Sequence, residues 1–177
     1  MPRSKKPASK KPNRSLQANL GKVRMLAMDV DGVLTDAGMY YSESGDELKK
    51  FNTRDGMGIK MVQAAGVVTA FITREKTAIV ERRGQKLAVP EVHQGVDDKL
   101  TDLTRLARKY GIALAQVAYI GDDVNDLEAL RAVGFSAASA DAMPVVLEAV
   151  HYVCAKKGGE GAVRELTDLI LAARFKS

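Results

Sequence analysis

The sequence predicts an α/β fold with a doubly wound, mostly parallel sheet, a projecting β-hairpin and no separate cap domain. Apolar runs of strand length alternate with longer amphipathic segments, as in chains built from βαβ units. Several of these runs end directly in polar residues, which is typical of parallel strands that face a crevice. The 177 residues suffice for one domain with a stable core, and no insertion is long enough to form a cap.

The first half of the chain reads in turn as strand, hairpin, helix, strand, helix and strand. Ser42-Glu43-Ser44-Gly45 predicts the hairpin turn, and Gly56 and Gly66 flank the first predicted helix. The run Val67-Val68-Thr69-Ala70-Phe71-Ile72 is rich in β-branched residues and predicts a buried strand. These elements are expected at residues 23–30, 39–51, 57–65, 67–72, 75–87 and 91–93.

The second half continues the alternation of helices and strands. A helix that begins at Lys99 should stop at Gly111, since glycine readily takes the left-handed conformation that ends helices. Pro144 suits the first turn of a later helix. Helices are expected at 99–110, 124–132, 143–149 and 161–173, and strands at 117–120, 134–138 and 151–154.

The N-terminal segment differs from the rest in charge. Residues 1–22 hold seven of the 27 basic residues and no acid, which leaves 20 basic against 22 acidic residues in the body. We expect residues 1–20 to be a disordered basic tail, dispensable for assembly, and residues 21–177 to be the single domain. The tail is either a solubilising extension without a partner, which we favour, or an anchor for nucleic acid or an anionic surface.

The composition also indicates the cellular compartment and argues against a membrane partner. Cys154 is the single cysteine, which excludes an internal disulfide and favours a reducing compartment. No apolar run is long enough to span a bilayer, and the N-terminus lacks the apolar stretch of a secretory signal. We therefore expect a cytoplasmic protein without a membrane partner.

Two carboxylates, Asp29 and Asp31, stand where the first strand ends. In an extended chain, side chains at i and i+2 point to the same side, so both can share one pocket. Two anions that close require a cation or a retained proton, and a divalent metal beside a nucleophilic carboxylate meets that requirement. For this stretch taken alone, the alternative is an Asx-type turn in which the acids cap backbone amides.

Further polar residues follow in an order that points to one site. Thr73 ends the strand at 67–72, Lys99 opens a helix, and Gly121-Asp122-Asp123-Val124-Asn125-Asp126 follows the strand at 117–120. Taken singly, Thr73 is typical of a helix N-cap, Lys99 is typical of a solvated surface lysine, and the acidic stretch is typical of a strand-to-helix turn. Since the carboxyl ends of parallel strands converge on one crevice, the combination indicates a shared site.

These motifs, in this order, resemble the haloacid dehalogenase superfamily of phosphatases over residues 22–175. More narrowly, the chain looks like the small phosphatases of 2-keto-3-deoxy sugar acid phosphates, which include octulosonate 8-phosphate and nonulosonate 9-phosphate phosphatases. The likeness is carried by DVDGVLTD at 29–36, GMYY at 38–41, KFNTRDG at 50–56, QG at 94–95, DKL at 98–100, AYIGDD at 118–123 and GGEGAVRE at 158–165.

The resemblance implies a Mg²⁺-dependent phosphatase with a covalent intermediate. Asp29 would be the nucleophile and Asp31 the general acid and base. The Asp29 carboxylate, the Asp31 carbonyl and the Asp122 carboxylate would bind Mg²⁺. Thr73 would hold phosphoryl oxygens, and Lys99 would counter the charge on nucleophile and phosphate. Asp126 would orient Lys99 or a metal-bound water, whereas Asp123 and Asn125 could equally shape the turn.

Each residue expected to select the substrate also has a structural interpretation. Arg74 stands where the family usually has glycine, and it could reach an anionic substrate or face solvent. Glu75 and Lys86 look like the nine-carbon branch, although Glu75 also suits a helix N-terminus and Lys86 a surface. Arg164, beyond the glycine-rich loop at 157–161, could contact the leaving group or pair with Glu160 or Asp168 on the last helix.

Relatives of this kind are tetramers in which neighbouring subunits close each uncapped site. The resemblance therefore implies a homotetramer with the hairpin at 39–51 at the interface, and a phosphorylated sugar acid as the small-molecule partner. Two alternatives remain: a phosphotransferase or mutase of the same superfamily, and a catalytically silent protein that uses the basic tail. We assign His93 and His151 to structure because neither has a metal-ligand partner at suitable spacing.

Overall fold

The computed structural model describes residues 14–45 and 47–175, which form three layers. The middle layer is a six-stranded parallel sheet in the order β5-β4-β1-β6-β7-β8. Helices cover both faces, which confirms the predicted doubly wound fold. The strands are β1 Met25–Met28, β2 Tyr40–Tyr41, β3 Glu47–Leu48, β4 Val68–Ile72, β5 Glu91–His93, β6 Val117–Gly121, β7 Phe135–Ala138 and β8 Tyr152–Val153.

The helices divide between the two faces of the sheet. Helices α1, α2, α3 and α7 pack on one face, and α4, α5 and α6 pack on the other. They span α1 Arg14–Gly21, α2 Thr53–Ala64, α3 Ala78–Leu87, α4 Lys99–Lys109, α5 Leu127–Ala132, α6 Pro144–Ala149 and α7 Ala162–Arg174. Short 3₁₀ turns at Leu114–Gln116 and Val124–Asp126 flank β6. No helix in the described part of the chain is long and apolar enough to cross a membrane.

The alternation of side chains along β1 connects the two halves of the core. Leu26 and Met28 point into the core with α2 and α7, whereas Met25 and Ala27 point into the core with α4 and α5. All four are fully buried. A strand that is apolar on both faces belongs at the centre of a covered parallel sheet, and this explains why its sequence does not alternate.

Several helix boundaries depart from the predicted ones because polar side chains cap them. Helix α2 begins four residues early, since the Asn52 side chain accepts a hydrogen bond from the Arg54 N–H. Helix α3 begins three residues late, at the cap that Thr77 supplies. Asp98 caps α4, which starts at Lys99 as predicted. The residues directly after Thr73 therefore lie in a turn rather than in the helix expected from residue 75.

The projecting hairpin is present but short. Strands β2 and β3 pair antiparallel, with Tyr40 opposite Leu48, and a bridge between Thr35 and Phe51 closes the base. Its apolar side chains remain in solvent, with Tyr41 67% and Leu48 64% exposed. The hairpin thus extends from the loop after β1 and offers an uncovered apolar surface.

The predicted disordered tail requires one correction. Residues 14–20 lie in helix α1, and Leu20 is 1% exposed within the core that α7 completes. The segment does have an apolar residue to bury, so the folded domain begins before residue 21, and removal of residues 1–20 would open the core. The rest of the expected tail, residues 1–13, lies outside the described residues.

Candidate active site

The sheet order creates a crevice at the carboxyl end of β1. From β1 the chain continues to β4 and β5 on one side, and from β6 to β7 and β8 on the other. This reversal is the switch point at which α/β sheets bind ligands. A cavity of about 220 Å³ lies there, lined by Asp29, Asp31, Ala37, Thr73, Arg74, Glu75, Asp122, Asp123 and Asn125.

A buried lysine joins two of the strand-end carboxylates. The side chain of Lys99 is 1% exposed, and its Nζ lies 2.6 Å from Asp126 Oδ1 and 3.0 Å from Asp29 Oδ1. Burial by itself would lower the pKa of Lys99, but the charges of Asp29 and Asp126 outweigh it and raise that pKa above its ordinary value. Lys99 is therefore a fixed cation beside Asp29, not a solvated surface lysine.

Asp126 is held by both of its oxygens. Its Oδ1 accepts hydrogen bonds from Lys99 and from the Tyr119 hydroxyl at 2.7 Å, and its Oδ2 accepts from the N–H groups of Asp122 and Asp123. A Cβ at Gly121 would lie 2.5 Å from Asp126 Cγ, so a side chain there would displace the carboxylate. The glycine of the motif thus leaves room for the residue that orients Lys99.

Asp29 and Asp122 form a pair of carboxyl groups whose negative charges the protein does not fully neutralise. Burial, followed by the charge of Asp126, raises the pKa of Asp29 to about 7, although Lys99 acts in the opposite direction. Burial and the charge of Asp29 raise the pKa of Asp122 to about 8. Asp122 Oδ1 is buried and has no hydrogen-bond partner in the described part of the chain. Such a pair is an incomplete arrangement that a divalent cation would complete.

The hydrogen bonds that the three carboxylates already accept distinguish metal ligands from positioning residues. Carboxylate oxygens of Asp29, Asp122 and Asp126 lie within 4.8 Å of one another, close enough to surround a metal ion. Both oxygens of Asp126 are already engaged by protein donors, whereas Asp122 Oδ1 is not. Asp29 and Asp122 therefore fit a hard divalent cation, and Asp126 fits the positioning of Lys99.

Glycines bring the loop after β1 close to its neighbours. Gly32 has φ +84°, and a Cβ there would lie 2.0 Å from Asp122 Oδ2. On the far side of the loop, a Cβ at Gly158 would lie 2.0 Å from the Gly32 carbonyl oxygen, and Gly159 donates its N–H to Val33 O. The glycine-rich loop before α7 therefore packs against the loop that carries Asp31.

The strand end at β4 brings Thr73 and Arg74 to the same cavity. Thr73 is 2% exposed, and its N–H donates to His93 O on the neighbouring strand. The Arg74 side chain is 70% exposed and lies 3.3 Å from the exposed carboxylate of Asp97. The side chain that replaces the usual glycine therefore lies at the rim and does not fill the cavity.

Asp31 has a partner that the sequence does not predict. Lys49, just after β3, donates from Nζ to Asp31 Oδ1 at 2.7 Å and also hydrogen-bonds to Glu75. The hairpin, the loop after β1 and the loop after β4 thus meet at one ammonium group. Lys49 and Tyr119 are the two supporting residues that sequence reasoning missed. Lys49 acts through contacts 18 and 26 residues away in sequence, which no local pattern indicates. Tyr119 contacts Asp126 only seven residues further on, and its local signal is a hydroxyl in the otherwise apolar strand β6.

Other predicted residues lie at the edge of the site or away from it. Asp123 caps the 3₁₀ turn through Val124 N–H, and Asn125 Oδ1 is buried in the cavity wall without a partner in the described chain. Lys86 is exposed near the end of α3. Arg164 pairs with Asp168 at 2.8 Å along α7. Within this chain, Lys86 and Arg164 do not line the cavity that holds Asp29.

A larger cavity of about 580 Å³ lies beside β5 and α4, but its charged groups are paired with one another. His93 contacts Asp102 at 2.5 Å and Glu91 at 3.0 Å, and Glu91 also accepts from Lys109 and Tyr110. His151 is likewise engaged, accepting a hydrogen bond from the Ser136 N–H. Both histidines therefore serve hydrogen-bond networks away from the candidate active site.

Comparison with known proteins agrees with this geometry. A family model described as haloacid dehalogenase-like hydrolase matches residues 72–166. The 3-deoxy-D-manno-octulosonate 8-phosphate phosphatase KdsC of Escherichia coli strain B is 42% identical over 161 residues, which cover 91% of this chain and 86% of that protein. The enzyme of the same name from Yersinia pestis is 44% identical over 154 residues, covering 87% and 82%.

Solved structures give the same result. The 3-deoxy-D-manno-octulosonate 8-phosphate phosphatase of Moraxella catarrhalis, in complex with magnesium ion, phosphate ion and KDO, superimposes with a TM-score of 0.90 at 38% identity, covering 93% of this chain and 94% of that one. The cobalt-bound enzyme of Haemophilus influenzae gives a TM-score of 0.86 at 40% identity, covering 90% and 93%. With these relatives and the strand-end cluster of Asp29, Lys99 and Asp122, the chain belongs to the haloacid dehalogenase-like hydrolases and is a phosphatase.

Proposed function

We propose that this chain is a Mg²⁺-dependent phosphomonoesterase that hydrolyses 3-deoxy-D-manno-octulosonate 8-phosphate through an aspartyl-phosphate at Asp29. The observation that carries the proposal is the pairing of Asp29 with a fully buried Lys99 next to the unsatisfied carboxylate of Asp122. The substrate is taken from the names of relatives at about 40% identity. The single, buried Cys154 is compatible with the cytoplasm as its compartment.

In the first step, an Asp29 carboxylate oxygen attacks phosphorus and the bond from phosphorus to the sugar oxygen breaks. Asp31 gives its proton to the departing sugar alkoxide. Lys99 and the turn at Thr73 stabilise the charge on the phosphoryl oxygens. Asp29 and Asp122 would hold Mg²⁺, which when bound supplies the positive charge that lets a carboxylate approach a phosphate dianion.

In the second step, water attacks the phosphorus of the aspartyl-phosphate. The Asp31 carboxylate takes the proton from this water, the bond from Asp29 to phosphorus breaks, and inorganic phosphate leaves. Lys99 then faces the regenerated Asp29 carboxylate. Asp126 and Tyr119 keep Lys99 in place throughout, since their hydrogen bonds do not involve the substrate.

A nonulosonate 9-phosphate is the second candidate substrate. Glu75, which looks like the nine-carbon branch, lies in the cavity wall. Lys86, the other residue of that pattern, is exposed outside the cavity of the same chain. The octulosonate is favoured because the relatives that cover most of the chain carry that name.

We also propose that the active form is a homotetramer with the hairpin at the subunit interface. The apolar side chains of the hairpin are uncovered in the single chain, with Tyr41 and Leu48 about two-thirds exposed. The cavity at Asp29 has no cap of its own in the described chain. A neighbouring subunit would therefore supply both the cover for the hairpin and the closure of the site.

Phosphate release from a panel of substrates tests the proposal. The panel contains octulosonate 8-phosphate, nonulosonate 9-phosphates and common hexose phosphates, each with Mg²⁺ and with EDTA. We expect kcat/KM to be highest for the octulosonate and turnover to vanish in chelator. Full turnover in EDTA would contradict the metal requirement, and a preference for nine-carbon substrates would reassign the substrate.

A further inference from the structure

Lys49 lies in an unusual position for a hairpin lysine. Its side chain is 1% exposed, and its Nζ lies 2.7 Å from Asp31 Oδ1 and 3.5 Å from Glu47 Oε1. The same Nζ donates a hydrogen bond to the Glu75 carboxylate. Burial opposes the charged form, but the hydrogen bonds to Asp31 and Glu75 raise the pKa of Lys49 above its ordinary value. The ammonium is therefore held between the hairpin and two loops of the site.

Asp31 is held through one of its two oxygens. Lys49 donates to Oδ1, and the Thr35 hydroxyl lies 3.4 Å from the same atom. Among the described residues, none donates a hydrogen bond to Oδ2. A carboxyl group that releases and regains a proton needs one oxygen free for the transfer and a fixed plane to aim it. The contacts of Asp31 provide both.

We infer that Lys49 is a positioning residue that fixes Asp31 Oδ1 so that Oδ2 exchanges the proton with the leaving group and with water. The inference rests on the proposed function, in which Asp31 is the general acid and base. Lys49 does not touch the reacting atoms, and acts only through Asp31. Glu75 holds the ammonium from the loop after β4, so the hairpin and that loop together set the orientation of the acid.

The test compares two substrates whose leaving groups differ in their need for a proton. A sugar alkoxide needs a proton in order to depart, whereas p-nitrophenolate leaves without one. The rate of leaving-group release is measured in single turnovers with enzyme in excess, which isolates the first step, for octulosonate 8-phosphate and for p-nitrophenyl phosphate. The variants are Lys49→Met, Lys49→Arg and Asp31→Asn. Lys50→Met is the matched control, since Lys50 is the next residue and pairs with Asp36 at the surface.

We expect Lys49→Met to slow release of the sugar acid about 10- to 100-fold and release of p-nitrophenol less than about threefold, because only the first needs general acid catalysis. Lys49→Arg should restore part of the loss, and Lys50→Met should match the wild type on both substrates. The p-nitrophenyl phosphate rate also shows that the Lys49→Met protein is folded.

Failure of the proposed mechanism and failure of the proposed role of Lys49 give different results. If Asp31→Asn slows both substrates equally, Asp31 is not the general acid and the proposed mechanism falls. If Asp31→Asn shows the leaving-group dependence and Lys49→Met does not, the mechanism stands and the role of Lys49 is refuted. Equal losses on both substrates in Lys49→Met would likewise assign Lys49 to structure alone.

Discussion

At the scale of single residues, the site consists of side chains that fix one another. Asp29 is paired with Lys99, Lys99 is held by Asp126, and Asp126 is held by Tyr119 and by backbone N–H groups. Because each link is buried, a loss at one position leaves a charge without its partner, and this costs more than the contact itself contributes. Substitutions far from the nucleophile should therefore reach it through this chain of contacts.

Gly121→Ala tests that chain of contacts. The new methyl group would meet Asp126 at 2.5 Å and push its carboxylate away from Lys99. We expect kcat to fall about 100-fold, since misplacing a catalytic group by about 1 Å has that effect. Steady-state kinetics and thermal unfolding should be measured together. A variant with unchanged kcat would show that the position of Asp126 does not control Lys99.

Asp122→Asn tests the metal site without relying on activity. Mg²⁺ binds the folded chain only, so saturating metal should stabilise the wild type by about 2–3 kcal/mol at 100 times Kd. The variant lacks the second carboxylate of the proposed ligand pair and should lose most of this increase in Tm. Glu148→Gln, at an exposed position of α6, is the control and should respond to Mg²⁺ as the wild type does. An undiminished Tm increase in Asp122→Asn would contradict the assignment.

At the scale of elements, the residues at strand ends were predictable and their long-range supports were not. The i, i+2 spacing of Asp29 and Asp31 and the convergence of parallel strands place Asp29, Thr73 and Asp122 at one crevice, as the sequence indicates. Lys49 joins this group through a hairpin whose approach no local pattern encodes. Helix α1 was missed because its basic, polar surroundings conceal the buried Leu20.

Leu20→Ala measures what helix α1 contributes. Leu20 is 1% exposed in the core beside α7, so truncation should lower the free energy of unfolding by about 2–4 kcal/mol. Gln17→Ala, at an exposed position of the same helix, should change it by less than about 0.5 kcal/mol. Urea unfolding followed by circular dichroism gives both values. Equal small effects would mean that α1 is not part of the folded core.

The network beside β5 predicts a pH dependence of stability. Burial would raise the pKa of Glu91, but hydrogen bonds from Lys109, Tyr110 and His93 outweigh it and lower the pKa to about 2. A carboxyl with a depressed pKa stabilises the fold above its unfolded pKa and loses that contribution as pH falls toward the folded one.

Glu91→Gln should therefore cost roughly 2 kcal/mol at pH 7, with most of the difference from the wild type gone by pH 3. The two proteins are compared by urea unfolding at both pH values, so that other carboxyl groups cancel. A difference that stays constant between pH 7 and pH 3 would show that Glu91 acts through packing and not through its charge.

At the scale of the whole molecule, residues 14–45 and 47–175 leave two features incomplete, an uncovered apolar hairpin and a cavity without a cap. The proposed assembly would complete both. Lys86 and Arg164 do not line the cavity of their own chain, so in the proposed tetramer any contact of theirs with substrate would be made in a neighbouring subunit. No sequence pattern encodes such a contact, because it depends on how copies associate.

Tyr41→Glu tests the assembly. A carboxylate on the apolar hairpin should disfavour its burial and shift the proposed tetramer toward smaller species in sedimentation velocity. We expect kcat/KM for octulosonate 8-phosphate to fall much more than that for p-nitrophenyl phosphate, since only the sugar acid needs the closed pocket. A wild-type monomer with full activity on the sugar acid would refute the tetramer.

The central claim, a covalent phosphatase acting through Asp29, is tested most directly by trapping the intermediate. Wild-type protein with Mg²⁺ is mixed with ³²P-labelled octulosonate 8-phosphate, quenched in acid within milliseconds and digested. We predict label on the peptide that contains Asp29, released by hydroxylamine as an acyl phosphate requires, and no label or turnover in Asp29→Asn. Turnover without labelled protein, a label that resists hydroxylamine, or more than about a tenth of wild-type kcat in Asp29→Asn would contradict the account.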